Sequence, residues 1–107
     1  MKKKLIVRNN RDFENIINTG ICKKNQSFIV HSKKNNLSYD RFGISVSKKL
    51  GNAVFRNKYK RKIRAILDIY KKNYIKNQDY IIILRKGALN KSFDEIKNEL
   101  INLLMQI

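Results

Sequence analysis

The sequence predicts an α+β fold, a two-layer sandwich in the order α-β-β-β-α-β-α, in a single domain over residues 1–107. Three features predict it. Residues Arg41 to Ser47 alternate apolar and small side chains with the period of a strand. From Asn52 to about Tyr74, apolar residues recur at the spacing of one helix face. Between that helix and a closing one lies a short, uniformly apolar run, Tyr80 to Leu84, which reads as a strand buried on both faces.

The elements follow in order. Residues 1–8 read as a basic N-terminal arm, with Leu5, Ile6 and Val7 as a short apolar patch before Arg8. Asn9 or Asn10 caps a first helix whose apolar positions are Phe13, Ile16 and Ile17 and which stops at Gly20. Ile21 to Lys24 is a weak strand. Ser27 to Lys33 is a firmer one, with Phe28 and Val30 on one face and Ile29 and His31 on the other. Lys34 to Asp40 is polar and reads as a loop. In the strand after it, Phe42, Ile44 and Val46 face one way, and Gly43, Ser45 and Ser47 the other. Such small side chains leave room for something to approach the sheet closely. Gly51 breaks this pattern and Asn52 caps the longest helix. Ser92 and Glu95 match a capping box, and the closing helix buries Phe93, Ile96, Leu100, Leu103 and Leu104.

The composition points to a polyanionic partner. The chain carries 25 basic and 8 acidic residues, a formal net charge of +17. Self-repulsion on that scale destabilises a compact monomer, and nucleic acid is the obvious counter-charge. Lys, Asn and Ile are enriched together, as A+T-rich codon usage would produce, so the position of each basic residue says more than the total. A single cysteine, Cys22, excludes an intramolecular disulfide and fits a reducing compartment. The N-terminal apolar patch is too short for a signal-peptide core. No apolar run approaches the roughly 20 residues that span a bilayer. A soluble, cytoplasmic protein without a membrane partner is expected. The carboxylates are scattered and no Cys/His cluster suits zinc, so neither a structural zinc site nor a self-sufficient two-metal nuclease is expected, while the protein ligands of any Mg²⁺ shared with RNA phosphates stay unassigned.

The informative segment is Lys48 to Arg64. Wound at roughly 100° per residue, Tyr59, Ile63, Ile66, Leu67, Tyr70 and Tyr74 gather in a core-facing stripe. Asn57, Lys60, Arg61 and Arg64 occupy a neighbouring arc, with Lys58 and Lys62 beyond it. Arg56 falls inside the apolar arc; either its stem lies over the core with the head in solvent, or the helix is irregular there. It sits near the helix start beside Asn52 and the Lys48–Lys49 pair, where free amides and cations together suit phosphate. A basic helix face is most often plain solvated surface. Here, however, no Asp or Glu lies between Arg41 and Ala65, so the charges repel without compensation.

The run Ser45-Val46-Ser47-Lys48-Lys49-Leu50-Gly51-Asn52-Ala53-Val54-Phe55-Arg56-Asn57, continued by Lys60-Arg61 and Arg64, resembles the signature of the bacterial ribonuclease P protein family. The similarity extends to Asp12-Phe13, to Asp79 through Ile83, and to Arg85-Lys86. It implies a ribosomal-protein-S5-domain-2-like fold with a left-handed βαβ crossover, against the usual right-handed rule. It also implies a non-catalytic subunit of an endoribonuclease whose catalyst is RNA, working with Mg²⁺ that belongs to the RNA and no cofactor in the protein itself. The implied partners are the catalytic RNA and precursor tRNA, with no small-molecule substrate. By this resemblance Lys48, Lys49, Asn52, Arg56, Asn57, Lys58, Lys60, Arg61 and Arg64 bind the catalytic RNA. Phe13, Ile17, His31 and Ser45 line a cleft for the 5′ leader of the precursor. Lys58 stands where the family has arginine, His31 where an aromatic is usual and Ile17 where Phe is common, which weakens stacking on leader bases. Taken from the residues alone, Phe13 is at least as much a core residue as a stacking one, and His31 is more a bystander than a ligand until the resemblance brings the two readings level. The competing reading is a ribosomal or general RNA-binding protein with no role in cleavage.

Overall fold

The computed structural model describes residues 3–7, 9–72 and 74–107. Met1, Lys2, Arg8 and Asn73 lie outside the described residues, so the basic arm is described only over 3–7. Helix α1 (Asn10–Thr19) is capped by Asn9, whose side chain accepts from the Arg11 N–H at 2.8 Å, and it ends at Gly20. Strands β1 (Ile21–Lys24), β2 (Phe28–Lys34) and β3 (Arg41–Ser45) follow. Helix α2 (Ala53–Lys71) is capped by Asn52, and β4 (Gln78–Leu84) and α3 (Phe93–Met105) complete the chain. The capping box of α3 forms as expected, with Ser92 and Glu95 satisfying each other's backbone N–H.

The four strands make one sheet in the order β1-β2-β4-β3. β1–β2 and β2–β4 are antiparallel, while β3 and β4 are parallel and joined through α2 in a βαβ crossover. β4 is therefore interior, and its Tyr80, Ile81, Ile82 and Leu84 are all buried. Its even-numbered side chains join Phe28, Val30, Phe42 and the apolar stripes of α2 and α3 in the main core. Ile81 points to the opposite face, where it packs with Val7, Ile16, Phe13 and Ile83 in a smaller cluster. Helix α1 thus lies on the far side of the sheet from α2 and α3. The two-layer sandwich holds for the sheet with α2 and α3, and α1 adds partial cover on the second face.

Close approach seats α1. A Cβ on Gly43 would lie 2.6 Å from the Phe13 Cζ, and one on Gly20 would strike the Ser32 carbonyl of β2. The helix is therefore held close at two glycines, Gly43 of β3 beneath Phe13 and its own C-cap Gly20 against β2. What comes close to the small-residue face of β3 is the protein's own Phe13. An ion pair supports the same end: Arg41 donates to Asp79 at 2.8 and 2.6 Å, and Asp12 of α1 lies 3.9 Å from the same guanidinium.

Three expectations are corrected. α2 ends at Lys71, so Tyr74 lies beyond the helix and is 40% exposed, stacked on Tyr70 at 5.2 Å rather than filling the core. Phe93, the first residue of α3, is 36% exposed, and the helix first reaches the core one turn later at Ile96. Ser47 is not a strand residue but caps a short 3-10 turn, Lys48–Leu50, by accepting from the Lys49 N–H.

Candidate RNA interface

Helix α2 divides its faces as the periodicity requires. Tyr59, Ile63, Ile66, Leu67 and Tyr70 are buried. Asn57, Lys58, Arg61 and Arg64 are exposed and Lys60 is half-buried. An open groove of about 430 Å³ runs along this face, lined by Val54, Asn57, Arg61 and Arg64. Val54 is 76% exposed at its edge, an apolar contact that the charge pattern concealed. Just upstream, the 3-10 turn presents Lys48 and Lys49 to solvent. Asn52 spends its side-chain oxygen on the Phe55 N–H at 2.9 Å, which leaves its amide N–H₂ free to donate outward. Arg56 is half-buried and its Nε is enclosed without a hydrogen-bond partner, in keeping with a stem laid over the core.

The electrostatics of this face are one-sided. Among the described residues the ion pairs are Arg41 with Asp12 and Asp79, Lys71 with Asp68, Lys91 with Glu99, and Lys97 with Asp94. None of Lys48, Lys49, Arg56, Lys58, Lys60, Arg61 and Arg64 joins one. Lys62 instead lies 4.7 Å from the Tyr59 ring centroid. Surface lysines and arginines without acidic neighbours retain their full field for an incoming phosphate backbone.

The second face is built from rows of the sheet. Register places Cys22, His31, Ile81 and Gly43 side by side, and Lys24, Ile29, Ile83 and Ser45 in the next row. Phe13 covers the first row at Gly43. The second row stays open beside α1, with Ile29, Ile83 and Ser45 half-buried and Lys24 exposed. The four expected cleft residues accordingly do different things. Phe13 is an anchor, seated on Gly43 and Ile81. Ile17, one turn along α1 from Phe13, is 38% exposed. Ser45 lies in its open row. His31 sits half-buried in the covered row; its Nδ1 is enclosed without a partner, and burial holds its pKa below the usual value. The apolar residues Ile29 and Ile83, with Lys24 at the rim, are not singled out by any sequence signal. Alternation already put Ile29 on the His31 face, but pairing with Ile83 requires the register. Among the described residues no three His, Cys, Asp or Glu side chains gather where they could hold a metal ion, and no helix is long and apolar enough to cross a membrane.

The sequence and the fold both have counterparts among known proteins. The family model described as Ribonuclease P matches residues 1–107. The ribonuclease P protein component of Streptococcus thermophilus is 39% identical over 105 residues, covering 97% of this chain and 93% of that protein. A mutant Staphylococcus aureus RNase P protein with defective mRNA degradation activity superposes with a TM-score of 0.90 at 38% identity, over 97% of this chain and 88% of that one. The RNase P protein from Thermotoga maritima gives 0.88 at 36% identity, over 94% and 96%. With a match along its whole length and the same fold in its relatives, the chain belongs to the ribonuclease P protein family.

Proposed function

We propose that this chain is the RNA-binding, non-catalytic subunit of a ribonuclease P ribonucleoprotein, which removes the 5′ leader from precursor tRNA. The observation that carries the reading is the set of seven cations on and before α2, none of them in an ion pair among the described residues. These residues, with Asn52 and Asn57, grip the phosphates of the catalytic RNA. Arg56, Arg61 and Arg64 offer planar forks that bond phosphate oxygens bidentately, and Lys58 acts as a point charge. The 5′ leader lies in the trough beside α1. Ile29 and Ile83 floor it, Ile17 and the edge of Phe13 wall it, Ser45 supplies a hydroxyl and Lys24 a cation at the rim. Mg²⁺ held with the RNA supplies the hydrolytic chemistry. The chain contributes positioning and charge neutralisation, which lets the RNA work with less Mg²⁺.

The test is cleavage of a precursor tRNA by the cognate catalytic RNA at low Mg²⁺, with and without the protein, beside a protein-alone control. Cleavage only when both are present is the expected result. Cleavage unaltered by a protein that still binds RNA would make the chain a general RNA-binding module.

A further inference from the structure

We propose that the cleft between the outer edge of β3 and helix α2 is a pocket for one unpaired nucleobase of the RNA that α2 engages. The inference rests on α2 being the RNA face. The cleft holds about 180 Å³ and is lined by Ile6, Val7, Phe13, Ile44, Lys60 and Arg64, with Phe42 at its base. That volume suits one heterocycle and falls short of the roughly 300 Å³ that a drug-sized ligand needs. Its walls are aliphatic and aromatic, as a base face requires. Its mouth carries Lys60 and Arg64, neither ion-paired among the described residues, at the place where the attached phosphate would lie.

Backbone polarity gives the pocket hydrogen-bonding capacity. Along a strand, successive residues turn their N–H and C=O to opposite edges. Phe42 turns outward, since its carbonyl accepts from the Val7 N–H at 2.9 Å and it bridges Ile6. Ile44 therefore turns outward as well, while Gly43 and Ser45 face β4. Among the described residues the N-terminal segment bonds the β3 edge only at Phe42, and the outward-turned Ile44 N–H and C=O offer the cleft a donor and an acceptor for a base edge. An apolar slot, an edge donor and acceptor, and two cations at the mouth match the three parts of a nucleotide that has been unstacked from a helix. A fully paired duplex has no base to offer it.

The experiment measures binding of the full chain to three RNA hairpins that differ at one point: fully paired, with a single bulged 2-aminopurine nucleotide, and with an abasic site at the bulge. The bulged base should bind about tenfold more tightly than either control, the scale of one base stacked on side chains. Its fluorescence should change on binding. Ile6→Trp, which plugs the slot from the N-terminal side of the cleft without touching Lys60 or Arg64, should erase the preference while leaving the salt dependence of binding as in the parent. Equal affinity for all three hairpins in the parent protein would overturn the pocket without any variant being needed. So would a preference that survives Ile6→Trp in a protein with an unchanged melting profile. Failure to bind any hairpin at low salt is a separate outcome, and it would overturn the α2 reading together with the pocket.

Discussion

Replacing Gly43 with alanine tests the seating of α1. A Cβ there would lie 2.6 Å from the Phe13 Cζ and 2.8 Å from the Ile81 Cδ1. Carbon atoms pack at about 3.5–4.0 Å, so each neighbour must retreat by roughly 1 Å. Ile81 is fully buried in the middle of the sheet and has nowhere to go, so the ring of Phe13 has to lift and carry α1 with it. Overpacking of this kind costs about 1–3 kcal/mol. For a domain of this size each kcal/mol lowers Tm by roughly 4–8 °C, which puts the expected fall near 10 °C. Thermal melts followed by circular dichroism measure it. The decisive comparison adds Phe13→Leu, a shorter side chain that makes room for the new methyl group. The double variant should lose less than the sum of the single losses, because the contact that each perturbs is the same one. An unchanged Tm in Gly43→Ala, or strict additivity with Phe13→Leu, would refute the claim that this contact sets the height of the helix over the sheet.

Four further outcomes are expected. Arg61→Ala combined with Arg64→Ala should reduce the slope of log affinity against log salt by about two units, roughly one per lost phosphate contact; an unaltered slope removes this face from the interface. Arg41→Ala leaves the nearly buried Asp79 carboxylate with only the Asn35 amide, 2.9 Å away, and should cost about 3 kcal/mol in urea unfolding, more than Asp79→Asn; the reverse order would show that the pair is not the constraint. Burial lowers the His31 pKa in the folded state, so the unfolded chain takes up the proton first as pH falls. Its contribution is complete above the ordinary value of 6.5 and declines below it. His31→Gln should therefore flatten the stability profile between about pH 7 and pH 5, and parallel profiles for the two proteins would refute this. Ser92→Ala removes the acceptor for the Glu95 N–H and should cost about 1 kcal/mol by denaturant titration, with no effect on RNA affinity.

Most of the secondary structure was legible because each element carries its own local signal. Asn9, Asn52 and Ser92 announce their helices as caps, and Gly20 ends the first one. The apolar run at β4 implied burial on both faces, and the sheet order provides it. Local pattern does not encode which side of a sheet a helix takes. The period of α1 identified Ile16 and its neighbours as apolar, yet nothing in it said that they would pack on Ile81 rather than join the core beneath Ile82. Tyr74 was misjudged because the helical period was carried past the last turn, where the chain turns toward β4. The basic face of α2 could be read directly, since it lies on one continuous helix. The trough could not, because Lys24, Ile29, Ile83 and Ser45 become neighbours only through register between strands far apart in sequence, and the β3 cleft could not, because it brings Ile6 and Val7 beside Ile44 and Arg64 only in the folded chain.

The position of β4 bears on how the chain is made. β2 and β3 are not bonded to each other; each is bonded to β4, which occupies residues Gln78–Leu84 of 107. During synthesis the sheet therefore waits, with β1–β2 as a lone hairpin and β3 unpaired along its inner edge, until the strand between them has been translated. At ordinary elongation rates that interval is on the order of seconds. Throughout it the nascent chain exposes Phe28, Val30, Phe42 and Ile44 on two unjoined strands, while Lys23, Lys24, Lys33 and Lys34 guard their ends as charged gatekeepers against pairing with another chain. The trough beside α1 draws on residues from either side of this gap, Ile29 and Ser45 before it and Ile83 after it, so a stalled or truncated chain ending before β4 would carry the basic helix but no finished trough.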